Sequence, residues 1–434
     1  MDSPSPHATA RGRDGDPPAL ARWLARSLPG LAALVLACAS PPAAPPPAAT
    51  PPGETAGWFR GNTHTHTLWS DGDSAPELAV DWYRRRGYQF LVLSDHNILA
   101  EGDFWRTVGE EPLQARPEVL GQLRARFGSS SVRVRSRPDG GRELRLATLG
   151  ELRGRFESPG RFVLLTGEEI SDAFAGRPIH HNALNLGRRI EPPGGDSVQD
   201  VLRRTMRLVE EEGRRAGRPV LGHLNHPNYE WGVSAEDIAA VHEERFFEVY
   251  NGHRLVRNEG DAAHPGTEAI WDHVLTVRLL AGGPPLFALA TDDAHDFLEV
   301  PGTSNPGRGW IVVRAAELTP DALVRAMLAG DFYASSGVRL RDVRADASSL
   351  TVEVDPDPGV AYTIRFVGTR RRRGSAAGEL LAERAGPTAT YRFAGDELYV
   401  RATVVSDRRH PNGYAPDDLE TAWAQPVAVG LRAR

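Results

Sequence analysis

Five short apolar runs, each ending in a cluster of histidine, acid or asparagine, constrain this chain more than any other feature. Residues 90–93 run into Ser94-Asp95-His96-Asn97, and 162–165 into Thr166-Gly167-Glu168-Glu169. The run 219–221 leads to His223 and His226, 246–250 to Asn251-Gly252-His253, and 286–290 to Asp292-Asp293-Ala294-His295. Runs of this length, apolar on both faces, suit buried parallel strands. Helical signals fall between them. Ser74-Ala75-Pro76-Glu77 reads as a capping box opening a helix that stops at Gly87. A second helix is expected over 198–212, ending at Gly213, and a third from Thr319-Pro320 to Gly330. Strand, polar cluster, helix is the rhythm of a βα barrel, whose reactive groups stand at the carboxyl ends of the strands.

The rest of the chain is organised around that rhythm. Residues 101–160 read as an insertion carrying a β-hairpin with its turn at Pro138-Asp139-Gly140-Gly141. Beyond residue 339 short alternating strands take over, so 340–434 is expected to be a small β-sandwich beside a 57–339 barrel. At the N-terminus, Arg22 and Arg26 precede an apolar run over 28–37 that ends at Cys38, the only cysteine. That layout resembles a lipoprotein-type export signal over 1–38, and it predicts a protein of the bacterial cell envelope with a lipid on Cys38 as its membrane contact. Residues 39–56, nearly all Pro and Ala, form a spacer.

Composition removes several chemistries. The sequence contains no lysine, so Schiff-base catalysis and the Walker A loop are excluded. One cysteine permits neither an internal disulfide nor a thiolate zinc site. A net charge of -6, with no basic tract outside a few short arginine runs, predicts no nucleic-acid partner; the oligomeric state is open, and a small-molecule ester is the expected partner only on the hydrolase chemistry of the residues that follow.

His64-Thr65-His66 places two imidazoles on one face of an extended segment, a half-site for a divalent transition metal. With Asp71, Asp95-His96, Glu169, His226 and Asp293-Ala294-His295 at successive strand ends, the set offers more ligands than the four that close a structural site. Nitrogen and oxygen donors without sulfur favour zinc, manganese or iron. Bridged ions activate water for attack on phosphate esters, carbamates or amides.

The series His64-Thr65-His66, Ser70-Asp71-Gly72, Ser94-Asp95-His96-Asn97, Gly167-Glu168-Glu169, His180-His181-Asn182, His226-Pro227 and Asp293-Ala294-His295 resembles the PHP (polymerase and histidinol phosphatase) superfamily over about 58–339. The insertion, the His180-His181-Asn182 string and the β tail look most like its carbaryl-hydrolase-type branch. The resemblance implies a distorted seven-stranded βα barrel of the α/β class and a phosphoesterase using a metal-activated water at a di- or trinuclear site. A carbamate, amide or ester hydrolase is the alternative, and a non-catalytic metal- or glycan-binding lipoprotein a third reading. By position, His64 and His66 would bind one ion with Glu169 and Asp293. Glu169 would bridge to a second held by His180 and His226, and Asp71, His96 and His295 would hold a third. Asp71, His96, Glu169, Asp293 and His295 thus form the expected catalytic set. His181 competes with His180 and Glu168 with Glu169. Asp95, Asn97, His223 and Asp292 are expected to support the ligands, carboxylates doing so by orienting an imidazole. Arg177 and Arg308 are the candidate cations for a phosphate, and Tyr229, Trp231 and Tyr250 the candidates for an aromatic mouth.

Overall fold

The computed structural model describes residues 56–298, 302–372, 374–413 and 417–430. The expected signal with Cys38, and all of the spacer but Ala56, lie outside the described residues. Among those described, no helix is long and apolar enough to cross a membrane.

The chain forms a mixed α/β protein around one large sheet. Its first seven strands are β1 (Gly57–Asn62), β2 (Phe90–Leu93), β3 (Val163–Phe174), β4 (Arg177–Leu184), β5 (Leu221–Leu224), β6 (Phe246–Asn251) and β7 (Phe287–Thr291). They lie side by side in chain order. β2, β5 and β7 are buried throughout; β2 is apolar along its whole length, while β5 carries His223 and β7 ends in Thr291. The two ends of the series meet beyond the strands: the His66 amide donates to the Ala294 carbonyl (2.9 Å) and the Asp293 amide to the His64 carbonyl (3.1 Å).

One strand departs from the expected rhythm. β4 follows β3 through a tight turn at Ala175-Gly176 and pairs antiparallel with both neighbours, whereas the other pairs in the series are parallel. Running the opposite way, β4 brings the residues near its start to the end of the sheet where the other strands finish. His180 therefore reaches the same polar rim as the ligands that follow β1, β2, β5 and β7.

The helices largely follow their sequence signals, with two differences. The helix Pro76–Arg85 has Pro in its first turn but no side-chain cap, since Ala75 rather than Ser74 holds the cap position. The helix Val198–Ala216 runs through Gly213 and ends at Gly217, whose left-handed backbone (φ 65°) closes it. A glycine inside a helix costs only about 1 kcal/mol against alanine, so the left-handed position decides where this helix stops. The helix Pro320–Ala329 is capped by the Thr319 side chain and closed by Gly330, as expected.

Within 101–160, Val134–Ser136 and Arg142–Arg145 pair as the expected hairpin, and Trp105–Thr107 adds a third strand. After β7 the large sheet continues through β8 (Trp310–Ala315) and β9 (Phe332–Ser335). Seven further strands follow: β10 (Leu340–Ala345), β11 (Ser349–Val354), β12 (Tyr362–Arg370), β13 (Glu379–Ala385), β14 (Thr388–Arg392), β15 (Glu397–Arg409) and β16 (Leu419–Ala428). β10, β11 and β14 make a separate small sheet. The other four extend the large sheet beyond β9 in the order β16, β15, β12, β13, because Tyr333–Ser335 pair with Ala422–Ala424. Leu350 and Val352 of the small sheet share a core with Ile364, Phe366, Val400 and Val404 of the large one. The described residues from 56 onward form one compact unit, with no division among them at residue 340.

Candidate metal centre

The polar rim gathers the nine ligand candidates. Four overlapping groups each place their ligand atoms within 4.8 Å of one another: His66, Asp71, His96 and His295; His64, His66 and Glu169; His64, His226 and Asp293; and His96, Glu169 and His180. Glu169 is the hub. Its Oε2 lies 3.4, 3.2 and 2.9 Å from ring nitrogens of His64, His66 and His96. Its Oε1 lies 3.1 and 3.3 Å from those of His180 and His226. Asp293 Oδ1 is 3.2 Å from Nε2 of both His64 and His66. Asp71 reaches His66, His96 and His295 at 3.4–3.5 Å. His66 and His96 each fall in two groups, so distances alone do not divide the set into the three ions implied by the resemblance.

The residues fit divalent ions. His64 Nε2, His66 Nε2, Glu169 Oε2 and His180 Nδ1 are buried, point into the cluster, and have no hydrogen-bond partner. Native folds rarely leave such atoms unsatisfied without a ligand. Charge tells the same story. Burial opposes ionisation of Glu169, yet His96, His64 and His180 outweigh it and hold the carboxyl well below its usual range. Burial likewise disfavours charge on His96 and His295, but Glu169 and Asp71 lift His96 to about 11, and Asp71 and Asp293 lift His295 to about 9. Without metal the acids are neutralised by protonated imidazoles, so loading a cation near neutral pH must expel protons.

Period-two alternation separates the competing pairs. Glu169 turns into the cluster, while Glu168 turns away to accept from the Ile190 amide (2.6 Å). His180 faces the cluster, and His181 lies behind it with Nε2 2.8 Å from Glu244. Burial pushes the Glu168 carboxyl up to about 7. Its folded pKa thus exceeds the unfolded value near 4.5, so the folded state binds the extra proton and stability falls as pH rises from about 4.5 to 7. We expect Glu168→Gln, which keeps the acceptor for Ile190, to raise stability by about 1–3 kcal/mol at pH 8 and to change little at pH 4. Chemical denaturation at the two pH values checks this.

The supporting residues differ from expectation. Asp95 touches no imidazole; it accepts from the amides and hydroxyls of Thr67 and Ser70 and so shapes the loop between His66 and Asp71. Asp292 accepts from the Tyr83 hydroxyl and the Arg308 and Gly309 amides. Asn97 bridges to the Ser171 backbone in both directions. His223 is buried with neither ring nitrogen paired, and burial depresses it to about 3. The carboxylate that does orient a ligand is Glu248 in β6, missed by the sequence reading. It takes His64 Nδ1 at 2.7 Å, the His226 amide at 2.8 Å, and the side chains of Asn251 and Thr291. Asn225, also missed, donates to Glu169 Oε1 (2.8 Å) and Asn182. A lone acid in the apolar string Phe246-Phe247-Glu248-Val249 was the available signal, since a buried carboxylate needs partners. Glu248→Gln is expected to weaken metal affinity about 10- to 100-fold with the fold retained, read by chelator competition.

Seven of the ligand candidates, Asp71, His96, Glu169, His180, His226, Asp293 and His295, line a cavity of about 200 Å³ with Tyr229, His253 and Leu255. Neither candidate cation enters it. Arg177 pairs with Asp237 at 3.3 Å, and Arg308 is buried with its side chain donating to the Gly252 and Asn412 carbonyls. Trp231 stacks on His264 (4.0 Å) and Tyr250 on Trp423 (5.8 Å), so Tyr229 alone of the three aromatics stands at the mouth. His410 is buried, with Nε2 3.1 Å from the Arg308 carbonyl oxygen.

No family model matches the chain, and no curated protein matches it. Among solved structures it is similar to a two-domain protein from Bacteroides vulgatus containing a predicted PHP-like metal-dependent phosphoesterase, at a TM-score of 0.38 and 15% identity, over 86% of this chain and 97% of that one. It is also similar to an inferred metal-dependent phosphoesterase from Bifidobacterium adolescentis, at a TM-score of 0.31 and 15% identity, over 62% of this chain and 95% of that one. At that similarity neither structure fixes the architecture or activity of this chain, which rest on its own strands and side chains.

Proposed function

We propose that this chain is a PHP-type metal-dependent hydrolase that cleaves a small phosphate ester at a site for two or three divalent ions, manganese, zinc or iron. The reading also takes strands β1 to β7 as the distorted barrel and the strands after residue 340 as its accessory β module. The observation that carries it is the gathering of nine nitrogen and oxygen ligand candidates into four overlapping groups, five of the histidines meeting the two oxygens of Glu169, with four buried ligand atoms left without a hydrogen bond. Ions held there would polarise the ester and activate water. His64, His66 and Asp293 would share one face of Glu169, and His180 and His226 the other. Tyr229 and His253 line the cavity without belonging to any ligand group, so they would contact the ester's leaving side. Burial raises the Tyr229 hydroxyl above its usual range and keeps it a proton donor. Export and lipidation at Cys38 belong to the same proposal and rest on the N-terminal sequence alone.

A second reading, hydrolysis of a carbamate, amide or neutral ester, is favoured by one observation: among the described residues, no arginine lines the cavity to meet the outer oxygens of a phosphate. A panel of aryl phosphate mono- and diesters, aryl carbamates and aryl esters, run on manganese- or zinc-loaded and chelated protein, separates them. Metal-dependent phosphate release is the expected outcome. Carbamate or ester cleavage with inert phosphates selects the second reading, and full metal binding without turnover of any substrate selects a binding protein.

A further inference from the structure

We propose that a second site, built around Arg60 and Tyr88 and separate from the metal centre, binds the phosphate group of a small organic phosphate. A cavity of about 670 Å³ shares no lining residue with the metal cavity. Its wall includes Arg60, Arg86, Trp82, Tyr88, Asn305 and Asn412. Arg60 and Arg86 bring guanidinium-bearing side chains to this wall, and no described residue lining it carries a carboxylate. Such a wall selects an anion.

Arg60 makes the site specific. It projects from β1 with its guanidinium carbon 3.9 Å from the centre of the Tyr88 ring and 3.8 Å from that of Trp310. Seated in the corner between two aromatic faces set at 79° to one another, the guanidinium has little freedom to turn and is stripped of much of its water. Its Nε is buried without a hydrogen-bond partner, and among the described residues no carboxylate pairs with it. Tyr88 beside it is 2% exposed, and its hydroxyl, which lies within the influence of the Arg60 guanidinium, has no acceptor for its own proton among the described residues. Burial raises that hydroxyl far above its usual range, which keeps it a donor. Two buried donors on one wall, one of them charged, lack an acceptor that the fold itself does not supply. A phosphate oxygen accepts from both, and guanidinium forks match phosphate geometry. The cavity volume lies in the range of small-molecule sites and leaves room for the organic part of the ligand. The inference does not rest on the phosphoesterase reading, because none of its residues holds metal.

Calorimetric titration of the full chain, with metals removed by chelation, tests it. The probes are inorganic phosphate, glycerol phosphate, and acetate at matched ionic strength. Saturable binding of both phosphates is expected, persisting in His64→Ala/His66→Ala, falling about tenfold in Arg60→Met and several-fold in Tyr88→Phe. Tyr88→Phe removes only a hydroxyl that lacks an acceptor, so it remains readable if Arg60→Met fails to fold. Absence of saturable phosphate binding overturns the proposal, as does binding that neither variant weakens or that vanishes with the two histidines. Acetate binding as tight as phosphate overturns the ligand class.

Discussion

Glu169→Gln is expected to abolish metal-dependent turnover, lowering kcat by at least about 10³-fold, or ~4 kcal/mol of barrier. The carboxylate is the hub at which His64, His66 and His96 meet one oxygen and His180 and His226 the other. An amide of the same size fills the space, still accepts from Asn225 through its carbonyl, and presents no charge to two ions. Because His96 and His64 then lose a counter-charge that raises them, the metal-free variant should also hold fewer protons on these imidazoles, with His96 affected most. Steady-state kinetics on saturating manganese and a metal count by mass spectrometry check the result. Unchanged kcat with full metal content would remove Glu169 from the centre of the mechanism.

The largest effect on stability is expected from Arg401→Ala. Arg401 in β15 is 1% exposed, and its guanidinium meets Asp272 in a bidentate pair at 2.8 and 2.7 Å. Asp272 belongs to the helix Thr267–Leu280 and also accepts from the Tyr399 hydroxyl at 2.8 Å. Glu268 of the same helix reaches Arg401 at 2.8 Å. Removing the guanidinium leaves Asp272 buried without its charged partner, which costs about 3–5 kcal/mol. The double variant Arg401→Met/Asp272→Leu removes both charges together and should recover much of that loss. Equilibrium denaturation of the three proteins checks both statements. A single-variant cost below about 1 kcal/mol would show that water reaches the pair.

Much of the metal centre is legible in the sequence because its ligands sit at the ends of apolar runs, where little but chemistry explains a histidine or acid. Period two places His64 and His66 together, and it separates Glu169 from Glu168 once the strand is known. The supporting carboxylates are less legible. Asp95 and Asp292 adjoin ligands in the sequence, yet adjacent residues on an extended chain point apart, so they serve backbone amides and a tyrosine hydroxyl. Glu248 does the orienting from β6, a strand that supplies no ligand, and only its isolation among apolar neighbours marks it. The reversal of β4 was missed because the turn at Ala175-Gly176 lies between two polar stretches that carry no strand-end signal. Continuity between β9 and β16 was equally hidden: alternating patterns identify strands but not the edge each one joins.

That continuity limits how such a protein can be divided. Cutting the chain at residue 339 would leave Phe332–Ser335 with one side of its backbone bare, a row of open donors and acceptors that invites another molecule to pair there. A segment that carries the ligand candidates but is cut at that point is therefore expected to self-associate through the bared edge, so the barrel-like strands and the tail behave as one unit of division.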